Sequence, residues 1–118
     1  IKDRSKDMIN RGGEKIYSLE LENILSTYRG VREVAVIPTP SPVYGEEPVA
    51  FIVPDGQHHL TSEEILDWLK VKIARFKLPA RIIFTRALPR THNGKVSKQH
   101  LKTRLAESII TLSTEDKK

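Results

Sequence analysis

Two β-branched runs with prolines set between them constrain this chain more than any other stretch. They are Val31–Thr39 (Val-Arg-Glu-Val-Ala-Val-Ile-Pro-Thr) and Glu47–Val53 (Glu-Pro-Val-Ala-Phe-Ile-Val), and their residue types fill a pleated, half-buried surface. Pro38, Pro40 and Pro42 are expected to end the first run, with a loop continuing to Gly45. Pro48 stands at the start of the second, where a missing N–H donor is tolerated. Pro54-Asp55-Gly56 closes it with a turn. Neighbouring strands joined by so short a connection are most simply antiparallel.

The flanking segments supply layers for this pair. Met8-Ile9-Asn10 and Lys15-Ile16-Tyr17 bracket Arg11-Gly12-Gly13-Glu14, a short hairpin signal with glycines at the bend. Ser18 is expected as an N-cap. Leu21, Ile24, Leu25 and Tyr28 follow at helical spacing, and Gly30 marks the stop. Thr61-Ser62-Glu63-Glu64 reads as a capping box. It opens a helix whose stripe of Ile65, Leu66, Trp68, Leu69 and Ile73 should lie on the sheet, with Trp68 a core or core-edge residue rather than a binding platform. Phe76-Lys77-Leu78-Pro79 ends that unit, and Arg81–Thr85 is a third strand. A last helix is expected from Ser97 to about Ser108, with Leu101 and Leu105 inward. The expected class is α+β: a small three-stranded antiparallel-type sheet with helices packed on it, preceded by a short β-hairpin.

At 118 residues there is room for one domain and one core. The composition fits a soluble globular class, and no apolar run approaches the roughly 18 residues of a membrane span. Residues 1–7 read as a charged hinge or linker, 8–108 as the domain and 109–118 as a frayed tail. Cysteine is absent, which rules out disulfides and thiol chemistry and fits a cytoplasmic setting. The four histidines lack metal-ligand spacing, so no metal site is expected.

Charge is unevenly placed. From Lys70 to Arg104 there are eleven Lys/Arg residues and no Asp/Glu, whereas Ile1 to Leu69 holds seven basic and twelve acidic residues. The basic half suits an anionic partner: nucleic acid, nucleotide phosphates or an acidic protein face. A solvated basic surface fits equally. Within that half, Pro89-Arg-Thr-His-Asn-Gly-Lys95-Val-Ser-Lys98 forms a polar turn with Asn93-Gly94 at its tip. A lysine on such a turn can stand as a point charge with three donors, suited to an oxyanion or phosphate. By itself the stretch reads first as a solvated turn lysine.

With these elements in place, the chain resembles the C-terminal domain of the adenylate-forming enzymes. That superfamily includes acyl- and aryl-CoA synthetases, nonribosomal peptide adenylation domains and luciferases. Four features carry the resemblance in register. Asp3-Arg4-Ser5-Lys6-Asp7-Met8-Ile9-Asn10-Arg11-Gly12-Gly13-Glu14-Lys15-Ile16 looks like the family's hinge and glycine loop. Pro89-Arg90-Thr91-His92-Asn93-Gly94-Lys95-Val96 looks like its catalytic-lysine loop. Gly45-Glu46 before a strand and Phe76-Lys77-Leu78-Pro79 match in order and spacing.

The resemblance implies a fragment of an AMP-forming acid–thiol ligase, inactive without an N-terminal adenylation domain. A carboxylic acid attacks the α-phosphate of ATP, and CoA or the pantetheine of an acyl carrier protein then takes the acyl group. By resemblance Lys95 is the catalytic, nucleotide-contacting lysine and Arg4 a second nucleotide contact. Lys6 is the hinge, and Gly12, Gly13 and Lys15 serve the CoA or pantetheine arm. Mg²⁺ accompanies ATP but is expected on the missing domain. The implied partners include no nucleic acid and no membrane. The competing reading is a basic nucleic-acid-binding module; against it, no strand carries an aromatic pair suited to base stacking.

Overall fold

The long hairpin anticipated from the two β-branched runs forms the spine of the fold. In the computed structural model, which describes residues 8–105, β3 (Val31–Ser41) and β4 (Gly45–Pro54) pair antiparallel from Val31↔Pro54 to Ser41↔Gly45. Ahead of them come β1 (Met8–Arg11), β2 (Glu14–Tyr17) and α1 (Ser18–Leu25). After them come α2 (Ser62–Lys70), a 3₁₀ turn at Arg75–Lys77 and β5 (Arg81–Phe84). The chain divides into two compact units, the first ending at Leu88 and the second starting at Pro89.

Among the described residues the sheet has five strands. β1 and β2 pair antiparallel, and β1 meets β4 at Arg11↔Gly45, so the expected separate hairpin is an extension of the sheet. β5 joins β4 in parallel, from Val49↔Arg81 to Ile52↔Phe84. The connection from β4 to β5 carries α2 and takes the chain back towards the end at which β4 begins, so the two strands pair in parallel. The α+β class holds, with one parallel pair inside an otherwise antiparallel sheet.

The prolines behave differently from expectation, because β3 runs through Pro38 and Pro40 to Ser41. Alternate residues of an antiparallel edge strand turn their N–H outward. Val36 shows the direction: its N–H leaves the ladder and donates to Glu22 Oε2 of α1 at 2.9 Å. Pro38 and Pro40 share that parity, so each lacks a donor the ladder never uses. Pro48 lies opposite Pro38, one residue before β5 begins to pair.

Local signals set the helix ends. Tyr17 still pairs with Met8 in the sheet and takes the N-cap position of α1, so Ser18, expected as the cap, is the first helical residue and is buried. α1 stops at Leu25, short of Tyr28; the Ser26 and Thr27 hydroxyls donate to the carbonyls of Asn23 and Ile24. Thr61 caps α2 as expected, its Oγ1 accepting the Glu64 N–H at 3.2 Å. α2 ends at Lys70, and Ile73 packs from the following turn rather than from the helix.

The core of the first unit joins Ile9 and Ile16 of the short hairpin to Leu21 and Leu25 of α1 and Ile65 and Leu69 of α2. Val36, Ala50 and Ile52 supply the sheet face beneath the helices. Trp68 packs at its margin, edge-on to Tyr28 at 4.9 Å, as a core-edge residue should. The opposite sheet face, carrying Ala35, Ile37, Val49, Phe51 and Val53, is also buried. A strand buried on both sides reads as the continuous apolar run seen in β4. No helix among the described residues is long and apolar enough to cross a membrane.

Candidate functional site

In the second unit, the segment from Pro89 to Ser97 closes on itself. Arg90 and Val96 form an antiparallel bridge. The Thr91 N–H donates to the Lys95 carbonyl at 2.7 Å, the Gly94 N–H to the Thr91 carbonyl at 2.9 Å and the Ser97 N–H to the Pro89 carbonyl at 2.7 Å. Arg90 Nη1 reaches the Gly94 carbonyl at 3.0 Å. Gly94 adopts φ +87°, a conformation that side chains other than glycine's rarely accept, and nothing lies within 4 Å of where its Cβ would be. Ser97 then opens the helical residues 98–105 (α3), its hydroxyl 2.7 Å from His100 Nδ1. Leu101 and Leu105 are buried, as the helical spacing predicted.

This turn presents Lys95. The side chain is exposed, and its ammonium has no ion-pair or hydrogen-bond partner among the described residues. Its backbone is held while its charge faces outward, which suits a group that must meet a ligand anion.

The glycine bend belongs to the first unit. Gly12 (φ +58°) and Gly13 (φ +93°) form the two-residue loop between β1 and β2, with positive φ at both positions as a type I′ hairpin turn requires. Lys15 follows on β2 and is exposed. Beside the bend lies the β3–β4 turn. Its Tyr44 carbonyl accepts the Gly12 N–H at 2.7 Å, and its ring carries the Arg11 guanidinium 3.7 Å from the centroid. Sequence reasoning passed over Tyr44; its only signal was an aromatic residue directly before Gly45-Glu46.

Arg4 and Lys6 lie outside the described residues. Among the described residues no group of three or more His, Asp or Glu side chains is arranged to hold a metal ion. A second feature absent from the sequence reading is an open cavity of about 490 Å³ whose lining includes Arg32, Asp55, Phe84 and Arg86. Asp55 there accepts the backbone N–H groups of Gln57 and His58 and contacts His58 Nδ1 at 2.8 Å. These bonds, the Gln57 N–H foremost, hold its pKa below the usual aspartate value.

Comparison with known proteins decides the lineage. Residues 20–95 match the family model described as the AMP-binding enzyme C-terminal domain, a match that ends on Lys95. The chain belongs to that family. A long-chain-fatty-acid–CoA ligase of Mycobacterium tuberculosis is 39% identical over 109 residues, covering 92% of this chain and 22% of the relative. A feruloyl-CoA synthase of an Amycolatopsis species is 43% identical over 102 residues, covering 86% of this chain and 21% of the relative. Among solved structures, the Mycobacterium tuberculosis fatty acyl CoA synthetase superposes with a TM-score of 0.81 at 37% identity, over 87% of this chain and 20% of that one. Apo MatB from Rhodopseudomonas palustris gives 0.82 at 36% identity, over 86% and 20%. The chain thus spans about a fifth of the length of the curated relatives it matches. As an AMP-binding enzyme C-terminal domain, it has the fold its motifs implied, and the nucleic-acid alternative gains no support from these relatives.

Proposed function

We propose that this chain is the C-terminal lid of an ATP-dependent, AMP-forming acyl- or aryl-CoA synthetase. The observation that carries the proposal is Lys95: an exposed ammonium with no acid partner among the described residues, on a turn held by its own backbone bonds. Relatives named for a fatty acid and for ferulate support the acyl and aryl range. The partner of the lid is the N-terminal adenylation domain of the same enzyme, which would hold the acid, most of the ATP and its Mg²⁺. In this reading ATP and CoA are the substrates, with a carrier-protein pantetheine as the alternative thiol, and the setting is the cytoplasm.

In the first half-reaction a carboxylate oxygen bonds to the α-phosphorus and the bond to pyrophosphate breaks. Negative charge spreads over the α-phosphoryl oxygens, and a cation placed in advance lowers that barrier. Lys95 serves as this cation, without a role as general base. Arg4 adds donors to the nucleotide. In the second half-reaction the thiol sulfur bonds to the acyl carbon and AMP leaves. Rotation about Lys6 brings the Gly12-Gly13 turn and Lys15 to the site in place of Lys95.

The test is Lys95→Ala in the full-length enzyme. Pyrophosphate exchange falls by about 10²–10³-fold, while thioester formation from preformed acyl adenylate is spared. Equal loss in both half-reactions refutes the assignment.

A further inference from the structure

The open cavity of about 490 Å³ lies at the far end of the sheet from the glycine turn. β4 runs ten residues from Gly45, which pairs with Arg11 beside that turn, to Pro54, which lines the cavity. A strand of that length spans about 30 Å. β5 runs parallel to β4, so Pro54 and residues 84–86 bring two strand ends to the cavity together. Sheets of parallel strands bind their ligands beyond those ends.

A bulge aims a guanidinium at this place. β3 pairs Val31 with Pro54 and Glu33 with Val53, so Arg32 is an extra residue without a partner across the ladder. Val31 and Val34 both pack against the core, though a plain strand would turn residues three apart to opposite faces. The bulge absorbs the difference and leaves Arg32 to line the cavity. Arg86 lines it from the end of β5. Neither guanidinium has a hydrogen bond or ion pair among the described residues. One carboxylate, Asp55, lines the cavity, and it already accepts the Gln57 and His58 N–H groups and contacts His58 Nδ1. Phe84 adds an apolar wall, 36% exposed.

Two guanidinium groups against one occupied carboxylate leave the cavity net positive. A planar carboxylate is satisfied by one guanidinium fork, whereas a phosphate has oxygens for two. The volume falls in the range of small-molecule sites, which join an apolar lining to a few polar groups that fix orientation. We propose that this cavity binds an organic phosphate monoester with a flat apolar body, its phosphate oxygens on Arg32 and Arg86 and its body against Phe84. The site is separate from the nucleotide and thiol sites of the proposed ligase.

The experiment uses the full-length enzyme, with phenyl phosphate and inorganic phosphate as probes, each titrated by phosphorus NMR. Saturating ATP and CoA, with no acid substrate, keep the probes from the substrate sites. Phenyl phosphate should bind with a Kd on the order of 1 mM, about tenfold more tightly than inorganic phosphate. Arg32→Gln and Arg86→Gln should each weaken both probes about three- to tenfold. Phe84→Ala should bring phenyl phosphate to the level of inorganic phosphate and leave the latter unchanged, which also reports an intact cavity. Pyrophosphate exchange should keep its wild-type rate in all three variants. No binding to the wild-type enzyme, or affinities that both arginine variants leave unchanged, overturns the site. An effect from only one arginine overturns the paired arrangement, and equal affinity for the two probes overturns the apolar wall.

Discussion

Replacing Gly13 with alanine separates a turn glycine from a glycine that makes way for a ligand. At φ +93° any side chain is strained, and a Cβ at Gly13 meets nothing within 4 Å. The stability cost is then backbone strain alone, on the order of 1–3 kcal/mol. Against a domain stability of roughly 5–15 kcal/mol, even the least favourable pairing leaves about 2 kcal/mol and a population that is almost entirely folded. Loss of activity by unfolding is thereby excluded. If the thiol arm passes over Gly13, the added methyl displaces it by about 1 Å, and a misplacement of that size costs on the order of 10²-fold in rate. Gly94→Ala is the matched control, because Gly94 has φ +87° and is equally open within 4 Å. Single-turnover transfer from preformed adenylate and pyrophosphate exchange should give opposite patterns. Gly13→Ala slows transfer and spares exchange, and Gly94→Ala slows exchange and spares transfer. Gly13→Ala with both half-reactions at wild-type rate would leave only the turn role and refute the reasoning.

Three further outcomes follow from the same geometry. Gly30→Ala should destabilise more than Gly56→Ala in urea titration: both positions have positive φ, but a Cβ on Gly30 comes within 2.9 Å of His58 Cβ and Leu60 Cδ2, while Gly56 is open. The difference isolates an overpacking term of about 1–3 kcal/mol, and equal midpoints would dismiss it. Lys77 reaches both carboxylate oxygens of Glu20 at 3.0 Å, with each side chain partly exposed; Glu20→Gln should cost about 1 kcal/mol or less, and a larger loss would mean the pair does more than tie α1 to the Arg75–Lys77 turn. Asp55 has a lowered folded-state pKa, so its contribution to stability is present above the unfolded aspartate value and is lost as pH falls through the lower folded one. The Asp55 carboxyl carbon shift should titrate below that of an ordinary aspartate, and titration at or above the ordinary value contradicts the bonding seen.

The hairpin of β3 and β4, the capped helix α2 and the buried positions Leu101 and Leu105 were legible because each depends on local pattern. Two features were not. The prolines of β3 look like breakers in the sequence, since sequence does not tell which edge of a strand faces a partner; that depends on where β4 and α1 end up. The parallel pairing of β5 likewise depends on the path of α2 across the sheet rather than on anything within Arg81–Phe84.

The two candidate sites differ in legibility for the same reason. The Lys95 turn is held by bonds among Pro89, Thr91, Gly94, Lys95 and Ser97, so the Asn93-Gly94 dipeptide marks the turn itself, while the role of Lys95 comes only from the resemblance. The glycine turn borrows its geometry from Tyr44 and Glu46, on another hairpin, and no local pattern announces such a debt. This difference bears on function. A self-contained turn keeps one shape whatever the rest of the enzyme does, which suits an ammonium that must arrive preformed at a transition state. A turn clasped to a second hairpin gains rigidity from the sheet it belongs to, which suits a narrow passage whose width must not vary. Under the proposed function each half-reaction would use a turn whose means of support fits its task, and mutations that loosen support should then separate the halves as cleanly as mutations of the contacting residues themselves.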